Sequence, residues 1–189
     1  MPIFGVSIRV LKALVLLSLS AMASAIEVGT DYNVLRLSPK EFPALPAQVV
    51  SVLIEMRCTI PQASFFLKAK SNVISGSFAK RGQNDYAVLC SRNGVSHIQV
   101  VWGGQARCES ELHIKNDSIF FQQETSGKME YSRILGVTSR RAIANFTHAD
   151  DDFKPSAPYH EAIQDAFADK ASSVLYCEKG KWQWLGGAD

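Results

Sequence analysis

The stretch His160-Glu161-Ala162-Ile163-Gln164 begins like a helical zinc motif. In that motif two histidines at i and i+4 share one helix face, and the Glu between them works as a general base. Here the second histidine position is Gln164, a poor zinc ligand, so the metal chemistry fails at its essential step. Read without a metal, His160, Glu161 and Asp165 could form an acid/base cluster, although their spacing does not put all three on one helix face. A second run, His148-Ala149-Asp150-Asp151-Asp152, sets one imidazole beside three carboxylates. It lacks the alternating spacing that turns acids toward one hard cation, and it reads as a solvated acidic loop. No metal site and no cofactor follows from either run.

Nucleophilic chemistry has no signature. There is no Gly-x-Ser-x-Gly elbow and no glycine-rich phosphate loop; Gly103-Gly104 and Gly186-Gly187 are isolated pairs. His97 falls in an expected strand and reads as a strand-face residue. His113 follows a polar loop and has no partner identifiable from sequence. No catalytic residue is assigned. Two sequons, Asn116-Asp117-Ser118 and Asn145-Phe146-Thr147, are read as accidental matches on the expectation that the source is bacterial.

The cysteines say more. Cys58, Cys90, Cys108 and Cys177 are widely spaced, with no C-x-x-C pair and no His at ligand distance, so disulfides are expected and a zinc site is not. Three connectivities are open, of which Cys58–Cys90 with Cys108–Cys177 is favoured. Disulfides need an oxidising compartment, and the first 25 residues supply an address. Arg9 and Lys12 precede an apolar run over 13–19, and Ala23-Ser24-Ala25 ends in small-x-small form. The run is too short to span a membrane, which takes about 20 residues. A signal peptide over 1–25, cleaved after Ala25, is expected, with the product periplasmic or secreted and without a membrane anchor.

Charge supports a plain partner list. The chain holds 20 Lys+Arg and 18 Asp+Glu; the leader takes two bases and no acid, leaving 18 against 18. A neutral domain has no electrostatic reason to bind nucleic acid or an anionic bilayer.

These residues need elements to hold them. Residues 26–189 read as a single α+β domain, opening with an extended arm over 26–42. Val49, Val50, Leu53, Ile54 and Arg57 recur at helical steps after Pro43 and Pro46, and Pro61 stops that helix with Cys58 at its last turn. Strands are expected over 72–78, 85–91 and 95–102, joined by a turn at 80–84 and by Asn93-Gly94, as an antiparallel meander. Further strands are expected at 118–123, 131–138 and 142–146. A second helix over 159–167 follows from the apolar set Ala162, Ile163, Ala166 and Phe167. A closing hairpin pairs 173–177 with 181–185 through Lys179-Gly180. The expected fold is α+β: an antiparallel β-meander sheet with an N-terminal and a C-terminal helix packed on it and two disulfides.

Residues 76–88, Gly-Ser-Phe-Ala-Lys-Arg-Gly-Gln-Asn-Asp-Tyr-Ala-Val, resemble the strand–loop–strand unit of an FG-GAP repeat. The resemblance implies a hairpin. It implies no calcium, because the loop is basic and keeps Asp85 alone of the usual acids. From about residue 45 onward the chain resembles a family of uncharacterised exported bacterial proteins. The likeness is carried by Cys58-Thr59-Ile60-Pro61-Gln62, Ala87-Val88-Leu89-Cys90-Ser91, and His160 with Ile163, Asp165, Ala166 and Phe167. This implies a recurring scaffold and no activity. The expected function is a protein-binding module, of inhibitor or immunity type, acting on another periplasmic or secreted protein through loops at 105–113 and 149–156. The alternatives are an envelope structural or assembly protein, or a small hydrolase using His160, Glu161 and Asp165.

Overall fold

The computed structural model describes Met1 and residues 34–64, 69–105, 108–123, 126–143 and 159–186. The chain divides into units 1–31 and 32–189, and every described residue except Met1 lies in the second. The expected leader, residues 26–33 of the expected arm, the His148–Asp152 run and the 149–156 loop lie outside the described residues.

The described part is mostly antiparallel β-structure. Four strands, β3 (Val73–Gly76), β4 (Asp85–Arg92), β5 (Val95–Val101) and β6 (Glu111–Asn116), form one sheet in the order β3-β4-β5-β6. Its first three strands are the expected meander, with Asn93 and Gly94 both at positive φ in the β4–β5 turn. A second sheet takes β9 (Arg133–Thr138), β10 (Ala162–Phe167), β11 (Ala171–Glu178) and β12 (Lys181–Gly186) in the order β12-β11-β10-β9. Two short pairs complete the set: β1 (Arg36–Leu37) with β2 (Ile60–Pro61), and β7 (Phe121–Gln123) with β8 (Met129–Tyr131).

The two large sheets face each other across one core. Ala87, Leu89, Ile98, Val100 and Leu112 come from the first sheet, and Leu135, Ile163 and Leu175 from the second. On one side the sandwich is closed where β3 lies beside β9. Asn72, buried and at φ 68°, stitches that side. Its Nδ2 donates to the carbonyls of Pro61 (2.7 Å) and Arg133 (3.0 Å), while its Oδ1 accepts from Leu135 N (2.9 Å) and its carbonyl from Leu89 N (3.0 Å). On the other side the sheets end in β6 and β12, which are not paired to each other.

The N-terminal helix, α1 (Ala47–Glu55), lies on the outer face of the first sheet. Val49 and Leu53 pack with Phe42, Leu45 and Ile60 against Val88 and Cys90. The apolar stripe is narrower than expected, since Ile54 stays 40% exposed. Pro61 does not stop this helix; it sits in β2. The stop is a Schellman closure: Arg57 takes φ 56°, its N–H reaches the Ile54 carbonyl, and Cys58 N reaches Leu53 O at 2.9 Å. The outer face of the second sheet packs Ala162, Val174, Tyr176 and Leu185 around Ile143, from the one-turn helix α2 (Arg140–Ile143).

Several expectations are corrected. The C-terminal helix expected over 159–167 is replaced by strand β10. Ile163 sits in the inter-sheet core and Ala162 in the outer cluster, so a strand covered on both faces loses the alternation that marks a half-buried one. The expected 131–138 strand is two, β8 and β9, separated by Ser132, whose N and Oγ both donate to the Phe120 carbonyl. Residues 117–120 form a 3₁₀ turn rather than strand, and Arg140–Ile143 are helical where a strand was expected to begin at 142. Within the arm, Ser38 and Glu41 form a capping box around a 3₁₀ turn, Pro39–Glu41. β6 had no counterpart among the expected strands.

Cys58 pairs with Cys90, and Cys108 with Cys177. The first ties the end of α1 to β4, and the second ties the approach to β6 to β11. Two intrachain disulfides fit a chain oxidised outside the cytoplasm. No helix among the described residues is long and apolar enough to cross a membrane.

Candidate functional site

The side chains with a chemical disposition gather at the open side of the sandwich. A groove of about 620 Å³ runs between β6 and β12, walled by Glu109, Glu111, His113 and Lys115 on one side and by Lys181, Trp182 and Trp184 on the other. Trp182 Nε1 donates to the Glu109 carbonyl at 2.9 Å and holds the two walls at one end. Its ring stacks on Trp102 with centroids 6.0 Å apart. Trp184 keeps 43% of its surface exposed and meets the His113 ring edge-on at 4.5 Å.

His113 is placed by a bulge. The β5–β6 register shifts between Ser96 and Ile98, so His113 and Ile114 together oppose His97. His113 takes φ 55°, a conformation that non-glycine residues adopt at a cost. Bulges of this kind re-aim a side chain, and here the imidazole turns onto the second sheet. His113 Nδ1 lies 2.5 Å from Asp165 Oδ2, an ion-pair distance although off the angle of a hydrogen bond.

Beneath the groove lies a buried charge network. Arg133, fully buried, donates Nε to Asp165 Oδ1 (3.0 Å) and Nη2 to Oδ2 (2.7 Å). Its Nη1 donates to Ser96 Oγ (2.7 Å), Nη2 also reaches the His113 carbonyl (2.8 Å), and its guanidinium lies 4.6 Å over the Phe120 ring. Burial pulls the Asp165 carboxyl upward, but the close His113 imidazole, the Arg133 hydrogen bonds and the Arg133 charge outweigh it and hold the pKa below the usual range. Tyr131 Oη approaches Ser96 Oγ (3.5 Å) and Asp117 Oδ1 (3.4 Å), while Asp117 Oδ2 accepts from Ser91 Oγ (2.6 Å) and Arg36 Nη2 (2.8 Å). Burial and the Asp117 charge push the Tyr131 phenol well up, so it stays a neutral donor.

The residues singled out from sequence do not converge. His160 is buried, with Nδ1 2.8 Å from the Glu161 carbonyl and Nε2 2.9 Å from the Cys177 carbonyl, and its ring stacks on Tyr176. Glu161 Oε2 accepts from Ser77 N (2.8 Å). Asp165 serves Arg133 and His113. The proposed acid/base cluster is three separate structural roles. Residues 108–113 of the expected contact loop line or approach the groove, whereas its partner loop at 149–156 lies outside the described residues. Asp85 is buried and accepts from Phe78 N, Ala79 N, Gln83 Nε2 and Gly103 N, so the retained acid of the FG-GAP-like segment fastens its own loop.

His113 is the residue that sequence reasoning passed over, and the alternation of Leu112 and Ile114 was the available signal for its strand. Chemically, the site offers an imidazole fixed by a buried carboxylate, but no Ser, Thr or Cys stands among the described lining residues to serve as a nucleophile. Among the described residues no group of three metal-ligating side chains comes together. A second hollow, beside the Cys58–Cys90 bridge, is lined by Arg57, Arg92, His97 and Glu111. Burial lowers the His97 pKa, and its buried Nε2 meets no hydrogen-bond partner among the described residues. No protein-family model, curated protein or solved structure matches the chain.

Proposed function

We propose that this chain is an exported, disulfide-braced binding module that engages another periplasmic or secreted protein through the groove between β6 and β12. The observation that carries the reading is the pair Trp182 and Trp184 set in a concave, otherwise mixed-charge wall. Tryptophan is over-represented among residues that dominate binding energy at protein interfaces, and a polar rim around it excludes water. Glu109, Glu111, Lys115 and Lys181 supply such a rim. The network under His113 holds one wall rigid, which lowers the ordering cost of association. Export by a leader over 1–25 with cleavage after Ala25, and the likeness of residues 45–189 to exported bacterial proteins, belong to the same reading. N-terminal sequencing of the exported protein checks the leader.

The test is site-specific photo-crosslinking in the producing cell. A benzophenone side chain at Lys181 or Ile114 is expected to trap one protein adduct, and one at Glu55 on α1 is expected to trap none. Trp184→Ala is expected to abolish the adduct without unfolding the domain. Equal labelling from Glu55, or no adduct from either groove position, overturns the reading. An inhibitor is distinguished from an assembly factor by whether the trapped protein is an enzyme that loses activity when the purified domain is added.

A further inference from the structure

The four edges of the two large sheets are not alike. β3 and β9 are edges too, but they lie against each other and Asn72 is bonded across that side. β6 is blunted: it carries the bulge at His113, whose carbonyl is already taken by Arg133 Nη2, and Lys115 follows. Bulges and charges are how edge strands avoid further pairing. β12 has none of these devices along its middle.

The register of β12 shows which groups it leaves open. The turn Lys179-Gly180 has both residues at positive φ, 50° and 84°, the two-residue form that closes a tight hairpin. Glu178↔Lys181 is then a hydrogen-bonded pair, and every second pair after it is as well. Trp182, opposite Cys177, and Trp184, opposite Leu175, occupy the intervening pairs. Their backbone N–H and C=O groups therefore point away from β11 and into the groove, and no hydrogen bond reaches them among the described residues.

We infer that β12 takes an extended segment of the partner protein as an added strand, lying in the groove between β12 and β6. This deepens the binding-module reading above and rests on it. Two donors and two acceptors at Trp182 and Trp184 match the spacing of an incoming strand. Alternate side chains of that strand fall on the inner side, beside Leu112, Trp182 and Trp184, where apolar groups fit, while Ile114, opposite His97, turns toward the outer face. The intervening side chains face the rim, where two acids and two bases meet either sign of charge. The occupant is thus an extended peptide with apolar residues at every second position and mixed charge between them.

The probe is a phage-displayed library of random twelve-residue linear peptides, selected on the oxidised protein. Selected peptides are expected to alternate apolar residues and to shift Trp184 emission. N-methylation at the residues that face β12 is expected to weaken binding about three- to tenfold each, the loss of one backbone hydrogen bond, and about twofold or less at the residues between. Trp184→Pro, which removes an outward N–H that β11 does not use, is expected to bind at least about threefold more weakly than Trp184→Ala. The peptide scan needs no variant, so it decides even if Trp184→Pro fails to fold. Peptides that bind in the groove but tolerate N-methylation everywhere overturn strand addition and leave the binding module standing. A library yielding no groove-binding peptide also overturns it, and the crosslinking experiment then decides the wider reading separately.

Discussion

Asp165→Asn is the substitution that tests the buried network most directly. It preserves the shape of the side chain while removing the charge that Arg133 faces. Arg133 is fully buried and a guanidinium does not give up its proton, so the charge stays in the core without its counter-ion. Removing one partner of a buried pair costs about 3–5 kcal/mol. The remaining contacts of Arg133, to Ser96, to the His113 carbonyl and over Phe120, soften the loss, so about 3 kcal/mol is expected. A domain of this size shifts its melting temperature by about 2–4 °C per kcal/mol, giving a drop of about 6–12 °C. Arg133→Met is expected to cost less, because Asp165 keeps His113 beside it and can also take up a proton. The double variant Arg133→Met/Asp165→Leu is expected to cost less than Asp165→Asn alone, since a well-packed apolar pair often replaces a buried ion pair at little penalty. Urea unfolding of Arg133→Met, Asp165→Leu and their double variant, read as a double-mutant cycle, measures the coupling, with Asp165→Asn measured alongside. Asp165→Asn within about 1 kcal/mol of the parent would refute the argument, as would a double variant as costly as the two singles added together.

Arg57→Gly is expected to stabilise the protein by about 0.5–1 kcal/mol in urea unfolding, because φ 56° at the helix stop suits glycine. Loop entropy gives about 3.7 kcal/mol for the 32-residue closure of Cys58–Cys90 and about 4.4 for the 69-residue closure of Cys108–Cys177. Paired Cys→Ala variants should therefore lose more stability at the second bridge, and the reverse order would count against the entropic account. Stability should fall in two steps on acidification. His97 has a depressed pKa, so its contribution is complete above the unfolded value near 6.5 and is lost as pH drops through the folded value. Asp165 is also depressed, so its contribution is complete above about 3.9 and is lost further down. Thermal melts from pH 8 to pH 3 read both steps, and a His97→Gln variant that retains the upper step would show the assignment to be wrong.

The parts of this fold that are legible from sequence are those in which local signals and burial agree. The meander over β3 to β5 has alternation and an Asn-Gly turn, the last hairpin has a two-residue turn, and α1 has an apolar stripe. β10 misleads because its Ala162-Ile163 and Ala166-Phe167 pairs fit a helical period, while its true cause is cover on both faces. The polar residue inside that strand, Asp165, is explained by Arg133, 32 positions earlier, and by His113 from the other sheet. His113 is hidden for the same reason. Its strand is short, polar and bulged, and its partner lies in the other sheet, so no window of sequence contains both.

Asn72 sets a clock for the whole sandwich. The amides of Leu89 and Leu135, one in each sheet, both donate to this one residue. Leu89 is bound at the start of β3 and Leu135 across the sandwich, and both are freed when Asn72 leaves its buried seat between the sheets. They should therefore be among the slowest-exchanging amides and exchange together. The opposite side, at β12, can breathe without releasing them.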